Sequence, residues 1–284
     1  MRTHTTAAVV SGAIVVSALA LPAAAQAAER PGASAGLGDF TAKPARPDTS
    51  LGNITFSKAV INGGKDIVLG VATKKTVIVT YTATSSSGVA LTEAFLWQGT
   101  DSSSTDTITG SLGTGDDPVC TESTTRTGVY SCKAVFHINA ASDLKNNGVA
   151  GTWKLFLGGY DLYANASYND DVATTRIKEV SQLTLDATPE PVKKGRTITV
   201  TGKLKRADWN DGTYVGATGQ KVLLQYRKKG SHTYTTLKTV TSGAGGALKT
   251  TTRATADGYY RFSFATNTTT AASTSADDYV DVKG

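Results

Sequence analysis

The chain has almost none of the residues on which metal and redox chemistry rest. Its 284 residues include two cysteines, three histidines and one methionine. His4 lies in the first segment, which leaves His137 and His232. They show no His-x-x-x-His spacing and no Cys/His cluster, so nothing reads as a transition-metal site. No Cys-x-x-Cys occurs, and nothing near either cysteine would poise a thiolate. The serine stretches SSSG and GSLG carry no strained nucleophile-elbow signature. Paired carboxylates for glycoside hydrolysis need a cleft, which small sandwiches rarely provide. Helical periodicity is missing, and no apolar window after the first segment is long enough to cross a bilayer. We therefore expect no enzyme, no membrane anchor and no cofactor.

What is present begins with a targeting signal. Arg2 is followed by an apolar run from Ala7 to Ala20 and by small-residue cleavage sites in AAAQAA. This is the pattern of a secretory signal peptide, placed at residues 1–27. No cysteine near the cut would accept a lipid, and the final DDYVDVKG carries no sorting motif. The mature protein is expected to be free outside the cell. It would hold about 255 residues, enough for about two domains. Residues 28–49, rich in Ala, Gly and Pro, read as a flexible leader.

Charge divides unevenly beyond the leader. Residues 50–180 hold 10 Lys/Arg against 12 Asp/Glu, a net of −2. Residues 181–284 hold 15 against 8, a net of +7. The asymmetry sets a domain boundary near residue 180 and marks the second half as suited to anionic surroundings. In an exported chain the isolated pair Cys120 and Cys132 is expected to form one disulfide. The polar stretch between them contains a glycine, so the bridge should staple a hairpin or loop rather than join two sheets.

Short runs rich in Thr, Val, Tyr and Ile recur between turn residues from Ile54 onward, the rhythm of an all-β sandwich. In TVIVTYTAT, Val77, Val79, Tyr81 and Ala83 share the expected core face. One helical turn is expected in ASDLKNNG, capped by Ser142. In RTITVTGKLKRA, Ile198, Val200, Gly202 and Leu204 point inward, whereas Lys203 and Lys205 point outward. Tyr260, Phe262 and Phe264 alternate inward behind Asp257 and Gly258, as in a tyrosine corner. The second half yields seven strands, the count of a constant-type immunoglobulin sandwich.

The stretch from LDATPEPVKKGRTITVTGKLKRADWNDG through ADGYYRFSFA to DYVDVK resembles an immunoglobulin-like domain of secreted actinobacterial proteins, notably of Streptomyces. The likeness covers nearly all of residues 181–284. The first half more loosely resembles an uncharacterised β-domain that accompanies it. The strand pattern gives two immunoglobulin-like sandwiches, at 50–180 and 181–284, and the resemblance implies that fold for the second and an extracellular address. It implies no reaction, and a calcium-binding label accompanies some such proteins.

Three stretches are candidates for recognition. RADWNDG sets Asp208, Asn210 and Asp211 beside Gly212. An EF-hand loop from Asp208 would need an oxygen ligand where Gly212 stands and a glutamate where Gly219 stands, so that pattern fails. A turn is the first reading, and a Ca²⁺ site completed by distant carboxylates is the alternative. Asn169, Asp170 and Asp171 pose the same question. Lys203, Lys205, Arg227, Lys228 and Lys229, with Tyr226 and Tyr234 among them and Lys193, Lys194 and Arg196 near, form a candidate face for an anionic cell-wall polymer or glycan. No nucleic-acid motif accompanies them. Finally, the loop between Cys120 and Cys132 offers Arg126, which raises protease inhibition as a further alternative. The expected work is that of a secreted, non-enzymatic binding or structural module at the cell envelope or extracellular matrix.

Overall fold

A computed structural model describes residues 52–284, so the signal-peptide and leader readings lie outside the described residues. The first half contains β1 (Thr55–Ile61), β2 (Ile67–Leu69), β3 (Lys74–Thr84), β4 (Leu91–Gly99), β5 (Ile108–Gly113), β6 (Val119–Glu122), β7 (Val129–Asn139), β8 (Gly151–Tyr160) and β9 (Ala166–Glu179). The second contains β10 (Ser181–Thr188), β11 (Val192–Lys193), β12 (Thr197–Asp208), β13 (Thr213–Gly216), β14 (Lys221–Lys228), β15 (Thr235–Thr241), β16 (Ala247–Arg253), β17 (Gly258–Phe264), β18 (Ser273–Thr274), β19 (Asp278–Val280) and β20 (Val282–Lys283). The described residues are nearly all β and fold as two immunoglobulin-like sandwiches in tandem.

In the first sandwich, a sheet ordered β1-β3-β7-β6 faces one ordered β2-β9-β8-β4-β5. Period-two alternation builds the interior. Val77, Val79, Tyr81 and Ala83 are buried on β3, while Ile78 between them is 42% exposed. Burial also pushes the Tyr81 hydroxyl up to about 12, although Thr92 bonds to it. Trp153 is fully buried and donates its indole N–H to Val149 O at 2.8 Å. Each fully buried Val, Leu, Ile or Phe contributes about 1.5–3 kcal/mol, so this alternation dominates the fold. The one α-helical turn, α1 (Ala140–Asp143), is capped by Asn139, whose side chain accepts from Ala141 N–H. Ser142, the expected cap, lies inside it and donates to Asn139 O.

In the second sandwich, β12 pairs β10 on one side and β16 then β13 on the other. Facing it is a sheet ordered β15-β14-β17-β18, with β19 also paired to β17. Ile198, Val200 and Leu204 interlock with Val222, Leu224, Tyr260 and Phe262. Gly202 holds its inward place because a Cβ there would meet Thr184 O at 2.1 Å. Tyr260, Phe262 and Phe264 are buried as the alternation requires. The hydroxyl reaching the corner ahead of β17 belongs to Tyr226, which donates to Ala256 O and Asp257 O at 3.1 Å each. The corner tyrosine is thus on the neighbouring strand β14, not at 260.

Only Val180 separates β9 from β10. The junction is filled rather than open. Trp209, just past β12, is 5% exposed and packs with Ala207 into the hydrophobic cluster of the first sandwich. Its indole N–H donates to Gly70 O at 3.3 Å, and its backbone N–H donates to Asn147 Oδ1 at 2.8 Å. Two consecutive buried charges fasten the same joint. Lys178 pairs with Asp66 at 2.7 Å and donates to Thr266 Oγ1 at 2.7 Å. Glu179 accepts from Asn147 Nδ2 at 2.6 Å, from an Arg206 guanidinium nitrogen at 2.8 Å and from Thr270 Oγ1 at 2.9 Å.

Cys120 and Cys132 are directly opposed on β6 and β7 and form a disulfide. The bridge staples a hairpin within one sheet. The loop it closes spans 12 positions, for which the chain-entropy model gives about 3 kcal/mol. Replacing both cysteines by serine is expected to lower stability by about that amount. Urea unfolding with and without reductant measures it, and a wild-type midpoint indifferent to reductant would contradict it.

Candidate functional site

The stretch around Trp209 folds as a turn. Asp208 Oδ1 accepts from Asn210 N–H at 3.0 Å and from Asn210 Nδ2 at 2.6 Å. Gly212 follows at φ 64°, a conformation that glycine adopts at no steric cost. Asn210 Nδ2 also reaches Asn147 Oδ1 at 3.1 Å, so the turn is tied to the joint below it. Asp211 is exposed. The second acidic stretch lies in an irregular part of β9, where Asn169 Oδ1 accepts Asp171 N–H at 3.0 Å and Asp170 accepts Ser102 Oγ at 2.7 Å. The two stretches keep separate partners. Among the described residues, no group of three or more His, Cys, Asp and Glu is placed to hold a metal ion.

The loop between the cysteines is closed on itself. Ser123 N–H donates to Val129 O at 2.7 Å, Val129 N–H to Arg126 O at 3.3 Å, and Gly128 N–H to Glu122 Oε1 at 2.8 Å. Arg126 is therefore presented on a folded turn and not on an extended segment of the kind a protease cleft reads.

The fold divides the basic residues between two opposite outer faces. Lys203 and Lys205 project from β12, whereas Tyr226 to Lys229 belong to β14 and its hairpin in the facing sheet. Tyr226 is turned inward against the core, so it offers no stacking ring to a ligand. Lys228 is exposed at the end of β14.

On the β14 face Arg227, Arg261 and Lys229 are already engaged. The Arg227 guanidinium lies 4.1 Å from the Tyr259 ring centroid and 3.3 Å from Asp277. Arg261 lies 3.6 Å from the Tyr234 ring and donates to Gln225 Oε1 at 2.8 Å. Lys229 sits 5.4 Å from the Tyr279 ring and 3.6 Å from Asp257. The Val282 N–H holds the Asp257 carboxyl below its ordinary range against the opposing effect of burial, with help from Tyr279 and Lys229. These side chains satisfy one another through cation–π contacts and ion pairs.

The β12 face is different. Strand register places Lys203 opposite Ala247, Thr201 opposite Lys249 and Thr197 opposite Arg253. Lys203, Lys205, Lys249 and Arg253 thus project from one outer surface, and among the described residues none of them makes an ion pair. Lys238 reaches the same edge from β15 and donates its ammonium to Thr251 O at 2.6 Å. Threonine hydroxyls fill the spaces, in a cross-strand row Thr188–Thr199–Thr251 and at Thr184 and Thr201. The one carboxylate among these paired outer positions is Asp186, on the β10 side opposite Thr201. Beyond it lies Glu190, whose carboxyl is pushed up by burial and by Asp278 and Asp186.

No protein-family model matches the chain, and no curated protein matches it. Solved structures do resemble it at low similarity. The fibronectin(III)-like modules of Clostridium thermocellum CbhA align at 16% identity and a TM-score of 0.32, covering 79% of this chain and 92% of theirs. The Escherichia coli adhesin FdeC aligns at 16% identity and a TM-score of 0.32, covering 82% of this chain and 66% of its own. The D00-D0 domain of Intimin aligns at 16% identity and a TM-score of 0.26, covering 80% of this chain and 99% of its own.

Sequence reasoning finds Lys203 and Lys205 on one strand face but misses Lys238, Lys249 and Arg253. The signal for two of them is present. In ALKTTTRAT, Lys249 and Arg253 fall on alternate positions with Thr251 between them. What the sequence withholds is the register that lays this strand beside β12.

Proposed function

We propose that the chain is a non-enzymatic binding or structural module that works outside the cell, at the cell envelope or extracellular matrix. It takes an anionic polymer on the outer face of the β10–β12–β16 sheet. The observation that carries this reading is the uncompensated charge there. Lys203, Lys205, Lys249 and Arg253 gather on one face without ion pairs, with Lys238 at its β16 edge on Thr251 O, while on the opposite face Arg227 and Lys229 are matched by Asp277 and Asp257. Such a surface raises the local concentration of anions and steers them in. The disulfide suits an oxidising compartment. The filled joint between the sandwiches makes the pair a stiff spacer that presents the face at a fixed angle.

Co-sedimentation of the mature chain with purified cell wall tests the reading. Binding is expected at low ionic strength, with release as salt rises, because exposed charges separated by more than about 8–10 Å are screened at physiological salt. No association, or one that salt leaves untouched, rules against it.

A further inference from the structure

The face also carries information about which anion it reads. Lys205 and Lys203 are two residues apart on β12, about 7 Å along the strand. Lys249 stands diagonally across from Lys203, at roughly 7–8 Å. Thr251, with the Lys238 ammonium on its carbonyl, and then Arg253 continue along β16 in further steps of about 7 Å. The cations therefore form a single track crossing from β12 to β16, with Asp186 beside it, directly opposite Thr201 on β10.

Two properties of this track narrow the ligand. The first is the kind of cation. Four of the five are lysines, compact charges whose donors rotate freely, and the planar fork that clamps carboxylate or phosphate is Arg253's alone. A point charge suits tetrahedral phosphate oxygens approached from any side. The second is the absence of rings. The outward positions of β10, β12 and β16 are Gln182, Thr184, Asp186 and Thr188, then threonines and lysines, and Ala247, Lys249, Thr251 and Arg253. None is aromatic. Tyr214 on β13 packs against the first sandwich, and Tyr234, Tyr259 and Tyr279 lie on the other sheet's side, already covered by Arg227, Arg261 and Lys229. A face that held sugars or nucleobases through stacking would need such rings. Cations and hydroxyls alone fit a chain of charges joined by short hydroxylated links.

Resting on the anionic-polymer reading above, we infer that this track binds a linear phosphodiester-linked polyol. The phosphates lie over Lys205, Lys203, Lys249, Lys238 and Arg253, and the link hydroxyls bond Thr199, Thr201 and Thr251. Affinity comes from charge repeat and not from ring recognition.

The test compares three immobilised probes with the mature chain: poly(glycerol phosphate), polygalacturonate and oligo(dT). Poly(glycerol phosphate) is expected to bind at least about tenfold more tightly than polygalacturonate, and to lose about tenfold in affinity between about 50 mM and 200 mM salt. K203Q/K249Q should weaken it by about tenfold, whereas R227Q/K229Q, on the opposite face, should leave it within about twofold. Unchanged thermal unfolding of each variant separates loss of contact from loss of fold. Equal or stronger binding of polygalacturonate, still lost in K203Q/K249Q, overturns the phosphodiester inference and leaves the anionic-polymer reading standing. Preference for oligo(dT) overturns the polyol inference and the cell-envelope reading in favour of a nucleic acid. Binding of no probe overturns both, as does binding that the β14-face variant removes and the β12-face variant does not.

Discussion

Trp209→Ala is expected to destabilise the first sandwich although Trp209 lies in the sequence of the second. The indole is 5% exposed and belongs to the same buried cluster as Ile67, Leu69, Val149 and Ile177. Truncating a buried tryptophan to alanine typically costs about 3–5 kcal/mol, from lost burial and the cavity left behind. Gly70 O loses its donor at the same time. The chain has three tryptophans, and the other two, Trp97 and Trp153, sit on β4 and β8 of the first sandwich. Fluorescence of W209A therefore reports the first sandwich alone. Its urea midpoint should fall, and calorimetry should resolve two transitions where the wild type shows one. A W209A midpoint within about 0.5 kcal/mol of wild type would mean that the indole carries no weight in that core.

What the sequence made legible was local and periodic. Alternation on β3, β12 and β17 placed Val77, Val200 and Phe262 inside and Lys203 outside, because strand geometry turns successive side chains to opposite faces. The disulfide hairpin and the Asx turn at Asp208 followed from spacing and turn chemistry. Short strands such as β13 and β18 were illegible, since a neighbour's register creates them and no local propensity does. The same limit hid the two outer faces. Lys203 and Arg227 read as one basic group along the chain, yet they belong to facing sheets whose inner sides are packed together. Trp209 shows the limit most plainly. Its turn was readable, but its burial depends on Asn147 and Gly70, which lie 62 and 139 positions away.

Glu179→Ala should cost about as much as the loss of Trp209, for a different reason. The carboxylate is 3% exposed and holds together three donors that belong to both sandwiches: Asn147 from the first, Arg206 and Thr270 from the second. Removing one partner of a buried ion pair typically costs about 3–5 kcal/mol, because the remaining groups are left without a match. Arg206 can regain water, its side chain being 30% exposed, but Asn147 and Thr270 face into the joint. Glu179→Gln keeps the volume and directs an amide N–H₂ at donors, so it should recover only part of the loss. A buried charge of this kind also fixes geometry. Apolar packing around Trp209 tolerates small slides, whereas three hydrogen bonds converging on one carboxylate permit a single arrangement. The two variants should then differ in kind. W209A weakens the first core, while E179A frees the angle between sandwiches, which small-angle scattering registers as a broadened distance distribution. An E179A chain as stable and as narrowly distributed as wild type would show that the angle is set without the carboxylate, by Lys178, Trp209 and the direct β9–β10 connection.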